Sequence, residues 1–104
     1  MPNWVMNELT CIFQTQEEYN VFKEKINLEG LYNSFIPAPD LEDTHNWNLD
    51  NWGVKWDAVR PTVNFDLLTI TFYFDSPWGC PEQFVRELSK LYPNANFDAI
   101  FAIG

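Results

Sequence analysis

The chain has 104 residues, of which 46% are apolar and 17% aromatic. A chain of this length can bury roughly two-thirds of the surface that it exposes when unfolded, so we expect residues 1–104 to form a single domain with a packed core. Fifteen acidic residues against six basic ones give a formal net charge of −9. Binding to duplex nucleic acid or an anionic membrane usually requires clustered basic residues, so this balance argues against both and favours basic surfaces on other proteins.

The two cysteines, Cys11 and Cys80, fit neither the spacing of a metal site nor a disulfide framework. The sequence shows no secretory signal and no stretch typical of a membrane span. We therefore expect a cytoplasmic protein with both thiols reduced and with no cofactor.

The first elements are a strand and a helix. Alternating apolar and polar residues over 4–13 predict the strand. Thr15 and Glu18 have the spacing of a capping box, which predicts that a helix begins there. Gly30 is a natural place for that helix to end.

The segment that follows, residues 36–51, breaks the pattern. Pro37 and Pro39 exclude a regular helix at its start, and we interpret it as a long acidic loop with room for a short helix around 47–51. A loop of this length inside a compact domain is usually functional or partly mobile. It is therefore the candidate site.

The second half contains the remaining predicted elements. They are a strand over 52–57, a turn at Arg60-Pro61, a strand over 64–74, a helix between Pro81 and Tyr92, and a strand over 97–103. The resulting order is β-α-β-β-α-β. This order predicts an α+β, ferredoxin-like sandwich, with an antiparallel sheet, two helices on one face and a long acidic insert before the second strand. In that arrangement we expect each helix to connect two parallel strands that are neighbours in the sheet.

The candidate partner-binding residues come from this acidic insert. They are four carboxylates and one indole: Asp40, Glu42, Asp43, Asp50 and Trp47. Tryptophan is enriched in binding hot spots, so Trp47 is either an exposed anchor for a partner or a brace for the loop. We expect Trp52 and Trp56 to brace the loop against the core.

No catalytic set of residues stands out. The single histidine, His45, has neither a nucleophile elbow nor a cysteine close to it in sequence. Asp40, Glu42, Asp43 and His45 are close enough in sequence to hold a hard cation, but no EF-hand pattern is present and no glycine supplies its sharp turn. We therefore predict a protein that is not an enzyme and binds no metal.

Three motifs together resemble a known family. They are Met-Pro-Asn-Trp at the start followed by Asn7 and Leu9, Asn-Trp-Gly-x-Lys-Trp at 51–56, and Phe-Asp-x-x-Trp-x-x-Pro at 74–81. The chain resembles, over its whole length, a family of small phage- and plasmid-encoded proteins with a ferredoxin-like domain and no characterised function. The matching positions are Pro2, Asn3, Trp4, Asn7, Asn51, Trp52, Gly53, Lys55, Trp56, Trp78 and Pro81.

The resemblance implies the same fold and an origin in a mobile element, and it supplies no catalytic residues. Members of the family often have a cysteine directly after the first tryptophan, where this chain has Val5. Any role of that cysteine would therefore be missing here.

These observations leave three hypotheses. The first is a non-catalytic, acidic protein-binding accessory factor, whose specific form is an inhibitor of a host nucleic-acid-binding or defence protein by mimicry of phosphate charge. The second is a module that binds single-stranded nucleic acid by stacking bases on Tyr73 or Phe101 of an open sheet face. The third, and least favoured, is a small metal-dependent enzyme. An exposed sheet face or edge strand also makes a homodimer a reasonable expectation.

Overall fold

Four strands and four helices occupy residues 3–103, the part of the chain that this computed structural model describes. In chain order they are β1 (Trp4–Ile12), α1 (Gln16–Lys25), α2 (Leu31–Phe35), α3 (His45–Asn51), β2 (Val59–Asp66), β3 (Thr69–Pro77), α4 (Glu82–Leu91) and β4 (Asn96–Ile103). Pro2, one of the positions that match the family resemblance, lies outside the described residues.

The strands form one sheet in the order β2-β3-β1-β4, and each neighbouring pair is antiparallel. The predicted α+β class and the predicted antiparallel sheet are therefore confirmed. One detail of the prediction is wrong. The helices do not connect hydrogen-bonded parallel neighbours, because β3 lies between β1 and β2, and β1 lies between β3 and β4.

The core lies on one face of the sheet. In β1 every second side chain is buried, ending with Leu9 and Cys11, and Ile70 and Phe72 of β3 point to the same side. Helix residues complete the cluster: Phe22 from α1, Tyr32 from α2, and Phe84 and Leu88 from α4. The opposite face of the sheet, the open face, exposes its side chains to solvent.

Helix α1 begins as predicted but ends early. The Thr15 hydroxyl accepts a hydrogen bond from the Glu18 backbone N–H at 3.2 Å, which is half of the predicted capping box. The helix ends at Lys25, and Gly30 precedes the separate, unpredicted helix α2. Both carboxylate oxygens of Asp57 accept hydrogen bonds from the first turn of α2, so a residue distant in sequence caps this helix.

The second strand lies later in the chain than predicted. Residues 52–57 are an irregular link, because Trp52 closes α3 with a hydrogen bond from its N–H to the Asn48 carbonyl. Strand β2 instead contains Arg60 and Pro61, which were predicted to form a turn. The chain accommodates them with an irregular register between Val59 and Thr62, where Arg60 has a φ of 51°.

The strand predicted over 64–74 is in fact a hairpin. Strand β2 ends at Asp66, and β3 starts at Thr69 after a tight turn at Leu67 and Leu68. Leu68 has a φ of 53°, a conformation for which sequence rules expect glycine or asparagine. Two leucines give no turn signal, which is why the hairpin was missed. The last helix and the last strand lie where they were predicted.

Candidate functional site

The carboxylates predicted to bind a partner lie on a surface segment that is partly helical. Asp40, Glu42 and Asp43 lie in the irregular stretch before α3, and Asp50 lies on α3 itself. All four side chains, here called the carboxylate quartet, are exposed. The predicted loop over 36–51 is therefore only partly correct, because α3 takes up its second half.

Several hydrogen bonds fix the acidic segment, residues 36–51, against the fold. The Trp52 indole N–H donates to the Ile36 carbonyl at 3.0 Å, and the Ala38 N–H donates to the Asn33 side-chain oxygen at 2.8 Å. At the start of α3 the His45 N–H donates to an Asp43 carboxylate oxygen at 2.9 Å. These contacts tie the start of the segment to the fold and, within the quartet, hold the Asp43 side chain at the start of α3.

Ion pairs with basic side chains neutralise little of the negative charge of the quartet. Among residues 3–102, its one contact of ion-pair length joins Asp43 to the Nδ1 atom of His45, at 3.7 Å. Arg60 and Lys90 pair with carboxylates elsewhere in the fold. Exposed like charges on one segment create a negative potential that attracts a positively charged surface.

Trp47 is a brace rather than an exposed anchor. Its indole is partly buried against the core, and its ring centroid lies 5.6 Å from that of Trp52 in an edge-to-face arrangement. Trp52 itself is 4% exposed, as expected for a bracing residue. Of the five predicted site residues, the four carboxylates are therefore accessible and the indole is largely occupied with packing.

The acidic residues do not converge on a cation position. In the part of the chain that the structure describes, no group of three or more His, Cys, Asp or Glu side chains is arranged to hold a metal ion. The closeness of Asp40, Glu42, Asp43 and His45 along the chain therefore does not become a shared site in space.

A second surface feature was missed at the level of sequence: a cluster of three tryptophans at one end of the sheet. The ring centroids of Trp4 and Trp56 lie 6.5 Å apart, and those of Trp56 and Trp78 lie 5.5 Å apart. Trp56, expected to brace the loop, belongs to this tryptophan cluster instead. Trp78 is the most accessible member, with 56% of its surface exposed.

Two basic residues lie over the tryptophan cluster. Lys55 Nζ lies 5.4 Å from the centre of the Trp78 ring, and the Arg60 guanidinium lies 5.0 Å from that of Trp4. Arg60 also forms an ion pair with Asp75 at 2.8 Å. These distances are within the range of cation–π attraction, so both cations are held against aromatic faces.

The loop after β3 positions Trp78. The Asn7 side-chain amide donates to the Ser76 hydroxyl at 2.8 Å, and the Ser76 hydroxyl donates to the Gly79 carbonyl. The Trp78 N–H donates to the Asn3 carbonyl at 2.7 Å, and its φ is 61°. A bulky residue rarely adopts a positive φ, so the surrounding contacts hold Trp78 in a costly conformation.

The tryptophan cluster adjoins the acidic segment across an open cavity of about 300 Å³. Leu49 of α3 lines this cavity together with Lys55 and Trp78. Leu49 is 43% exposed and directly precedes Asp50 of the quartet. Apolar and aromatic side chains and the Lys55 ammonium therefore share this surface with α3, the helix that carries Asp50.

The three sequence motifs meet at this surface. Trp4 comes from the first, Trp56 from the second and Trp78 from the third. Gly53 of the second motif, with a φ of 86°, approaches the backbone at the start of α4. The recurrence of tryptophan in separated motifs was the available signal, but spacing along the chain could not show that the rings touch.

The open face differs from the stacking platform that was expected. Tyr73 lies on it and is 44% exposed, but Phe101 pairs with Asn7 and lies on the opposite, helix-covered side of the sheet. By strand alternation, four carboxylates share the open face with Tyr73: Glu8, Asp66, Asp75 and Asp98. The two aromatic rings therefore cannot stack successive bases on one face.

Both cysteines are free. Cys11 is fully buried in the core, and burial raises the pKa of its thiol far above the ordinary value. Burial and the nearby Glu82 carboxylate also raise the pKa of the Cys80 thiol. Raised pKa values disfavour the thiolate, so neither cysteine resembles an activated nucleophile.

Comparisons with models of protein families, with curated proteins and with solved structures gave no match. Within the described residues, no helix combines the length and the apolar character needed to cross a bilayer.

Proposed function

We propose that this protein is a non-catalytic, acidic accessory factor that binds a basic protein in the cytoplasm of a bacterial host. The observation that carries the proposal is the carboxylate quartet, which is exposed and, among the described side chains, forms no ion pair with a lysine or an arginine. A formal net charge of −9 on the whole chain adds to the attraction.

The neighbouring tryptophan cluster supplies what charge alone lacks. Electrostatic attraction accelerates encounter, whereas binding energy is usually concentrated in a few aromatic or arginine side chains. The exposed ring of Trp78 and the cavity beside Leu49 offer such a contact next to α3, the helix that carries Asp50. In this proposal the quartet steers the partner and Trp78 anchors it.

The specific form of the proposal is inhibition by charge mimicry. Carboxylates held on a surface can occupy a basic cleft that otherwise binds the phosphates of nucleic acid. A host nuclease or another defence protein has a cleft of that kind. The motif resemblance to phage- and plasmid-encoded proteins supports this form, since a mobile element benefits from blocking such an enzyme.

The test is affinity capture from nuclease-treated bacterial lysate, followed by identification and quantitative binding of the captured protein. The variant is Asp40→Asn, Glu42→Gln, Asp43→Asn and Asp50→Asn together. We expect this variant to lose at least ten-fold in affinity, and duplex DNA to displace the wild-type protein from its partner. Binding should also weaken steeply as salt is raised.

A matched control removes the same number of charges elsewhere. Glu24→Gln, Glu29→Gln, Asp66→Asn and Asp98→Asn together neutralise four other exposed carboxylates. We expect this control to bind within about three-fold of wild type, since all four changes lie outside the acidic segment. Equal losses in both variants would show that net charge alone matters, and binding that survives high salt in the quartet variant would refute mimicry.

Binding of single-stranded nucleic acid is the second candidate, and it is less well supported. Tyr73 could stack one base, but Glu8 lies opposite it in β1 and Arg60 is already paired with Asp75. Backbone phosphates would meet like charge on the open face. A mobility shift with short single strands at low salt would revive this candidate.

For the fold we propose the ferredoxin-like arrangement, with residues 36–51 as an acidic insert before the second strand. The strand order β2-β3-β1-β4 and the helices that link β1 to β2 and β3 to β4 support it. An experimental structure with a different strand order would refute this assignment.

A further inference from the structure

Strand β4 forms one edge of the sheet, and its outer backbone groups have no strand beside them within the described residues. It is eight residues long and pairs with β1 in an unbroken register from Val5–Ile103 to Ile12–Asn96. An edge of this kind is a template for pairing with another strand.

The two edges of the sheet are built differently. Edge strand β2 contains Pro61, an irregular register and the positive φ of Arg60, all of which hinder the addition of a further strand. Strand β4 contains no proline, no basic residue and no bulge, and its single charge is Asp98. One edge is therefore protected and the other is left open.

Apolar side chains are exposed on both faces of β4. On the open face Ile100 is 59% exposed, and on the helix side Phe101 is 53% exposed. Phe101 also lines a cavity of about 320 Å³ between β4 and α4, with Val85 among the other lining residues. Exposed apolar groups on both faces of an unpaired edge favour association rather than a free strand.

We propose that β4 pairs antiparallel with β4 of a second copy of this chain, about a two-fold axis through Ile100, to form a continuous eight-stranded sheet. A two-fold axis perpendicular to the sheet keeps each face on its own side. In an antiparallel pair, directly opposed side chains lie on the same face of the sheet. The axis must therefore pass through one residue, which then lies opposite the same residue of the second copy.

The identity of the side chains selects Ile100 as that residue. This register pairs residues 97–103, with Phe101 facing Ala99 and Asp98 facing Ala102. Centring the pair on Asp98 would oppose two carboxylates, and centring it on Ala99 would place Asp98 against Ile100. A register centred on Phe101 would also set Ile100 beside Ala102 without opposing charges, but it pairs only residues 99–103. The Ile100 register pairs the longer stretch 97–103, and it too opposes no charges. The proposal does not depend on the proposed function.

The first test is the molar mass of the purified protein by light scattering, at concentrations up to about 1 mM, the weak end of specific association. We expect a dimer for wild type and a monomer for Ile100→Lys, which places two like charges opposite each other at the axis. Leu67→Lys, at the exposed hairpin tip, is the matched control and should remain dimeric. A wild-type monomer throughout this range, or a dimeric Ile100→Lys variant, would overturn the proposal.

The second test reads the register with single cysteines in a Cys80→Ser background, in which the remaining native thiol, Cys11, is buried. Under air oxidation Ile100→Cys should cross-link to itself, because facing positions bring the Cβ atoms close enough for a disulfide. Ala102→Cys alone should not, whereas a mixture of Ala102→Cys and Asp98→Cys should. Self-cross-linking of Ala102→Cys without that of Ile100→Cys would refute the register, even if light scattering finds a dimer.

Discussion

Trp78 combines three properties that rarely occur together in a purely structural residue. It is exposed, its φ is positive, and a basic side chain lies over its ring. A left-handed conformation of a bulky residue costs on the order of 1–3 kcal/mol, and such residues concentrate at functional sites. The fold therefore maintains an unfavourable conformation that holds an indole in solvent.

Replacing Trp78 by alanine should separate binding from stability. We expect a loss of about ten-fold or more in affinity for the captured partner, because exposed tryptophans dominate binding energy. The free energy of unfolding should change by less than about 1 kcal/mol, since the side chain is half exposed. Isothermal titration calorimetry and urea unfolding measure the two quantities.

Leu91→Ala is the control for this prediction, because Leu91 is exposed to a similar degree but lies on α4. It should bind like wild type. If Trp78→Ala binds normally, the tryptophan cluster is not part of the interface.

Cys11 should make the protein sensitive to alkali. Burial raises the pKa of its thiol in the folded state, whereas in the unfolded state the thiol titrates near its ordinary value of 9.0. The contribution of this thiol to the free energy of unfolding is fully present below that value and is lost as the pH rises above it. The reason is that only the unfolded chain then releases the proton. Tyr32, whose phenol pKa is raised mainly by burial, should add a similar loss above its ordinary value of 10.0.

Urea unfolding at a series of pH values from about 8 to about 10 tests this. Near the upper end, stability should fall by up to about 1.4 kcal/mol per pH unit for one titrating group. In Cys11→Ala the overall stability will be lower, but the slope attributable to this thiol should disappear. An unchanged slope would mean that other groups cause the alkaline loss.

At the scale of elements, Gly53 allows α3 and α4 to approach each other. Its φ is 86°, and a Cβ atom there would lie 3.3 Å from the backbone nitrogen of Gln83 in α4. Nearby, the Phe84 N–H donates a hydrogen bond to the Trp52 carbonyl, which ties the two helices together. An alanine would meet both steric and conformational resistance.

Gly53→Ala should therefore lower the free energy of unfolding by about 1–3 kcal/mol. Gly79→Ala is the matched control, since a Cβ atom at Gly79 would meet no atom within 4 Å. We expect that control to lie within about 0.5 kcal/mol of wild type. Thermal or urea unfolding measures both variants, and similar effects would show that the contact with α4 does not limit this position.

The predictions that succeeded rest on strong local signals. The alternation in β1, the cap at Thr15 and the apolar stripe of the last helix each depend on neighbouring residues, so they could be read directly. The element β2 was misplaced because its irregular register lets Arg60 and Pro61 enter a strand that local rules exclude. Helix α2 was missed because its cap, Asp57, is distant in sequence.

The candidate site was predictable only in part. Charge along the chain identified the quartet, because exposed carboxylates need no tertiary contact to remain accessible. The tryptophan cluster was not predictable, since Trp4, Trp56 and Trp78 meet only after the sheet has formed. The same reason explains Phe101, whose side of the sheet depends on its register with β1.

At the scale of the whole molecule, the excess of negative charge should oppose folding. The molecule measures 40 × 32 × 21 Å. At an ionic strength of about 0.01 M the Debye length is about 30 Å, so most carboxylates interact with each other across the fold. At about 0.15 M it is about 8 Å, and only near neighbours still interact.

Raising sodium chloride from about 0.01 M to about 0.15 M should therefore raise the midpoint of thermal unfolding. The ion pairs among the described side chains are partly exposed, so their screening should offset little of this gain. In the quartet variant the rise should be smaller, because four of the fifteen acidic residues are neutralised.

The control with four other carboxylates neutralised distinguishes the origin of the repulsion. An equal reduction of the rise indicates repulsion spread over the molecule, and a smaller reduction indicates repulsion concentrated in the acidic segment. A midpoint that falls with salt would mean that attractive pairs outweigh the net charge, which would also weaken the case for the quartet as an unneutralised surface.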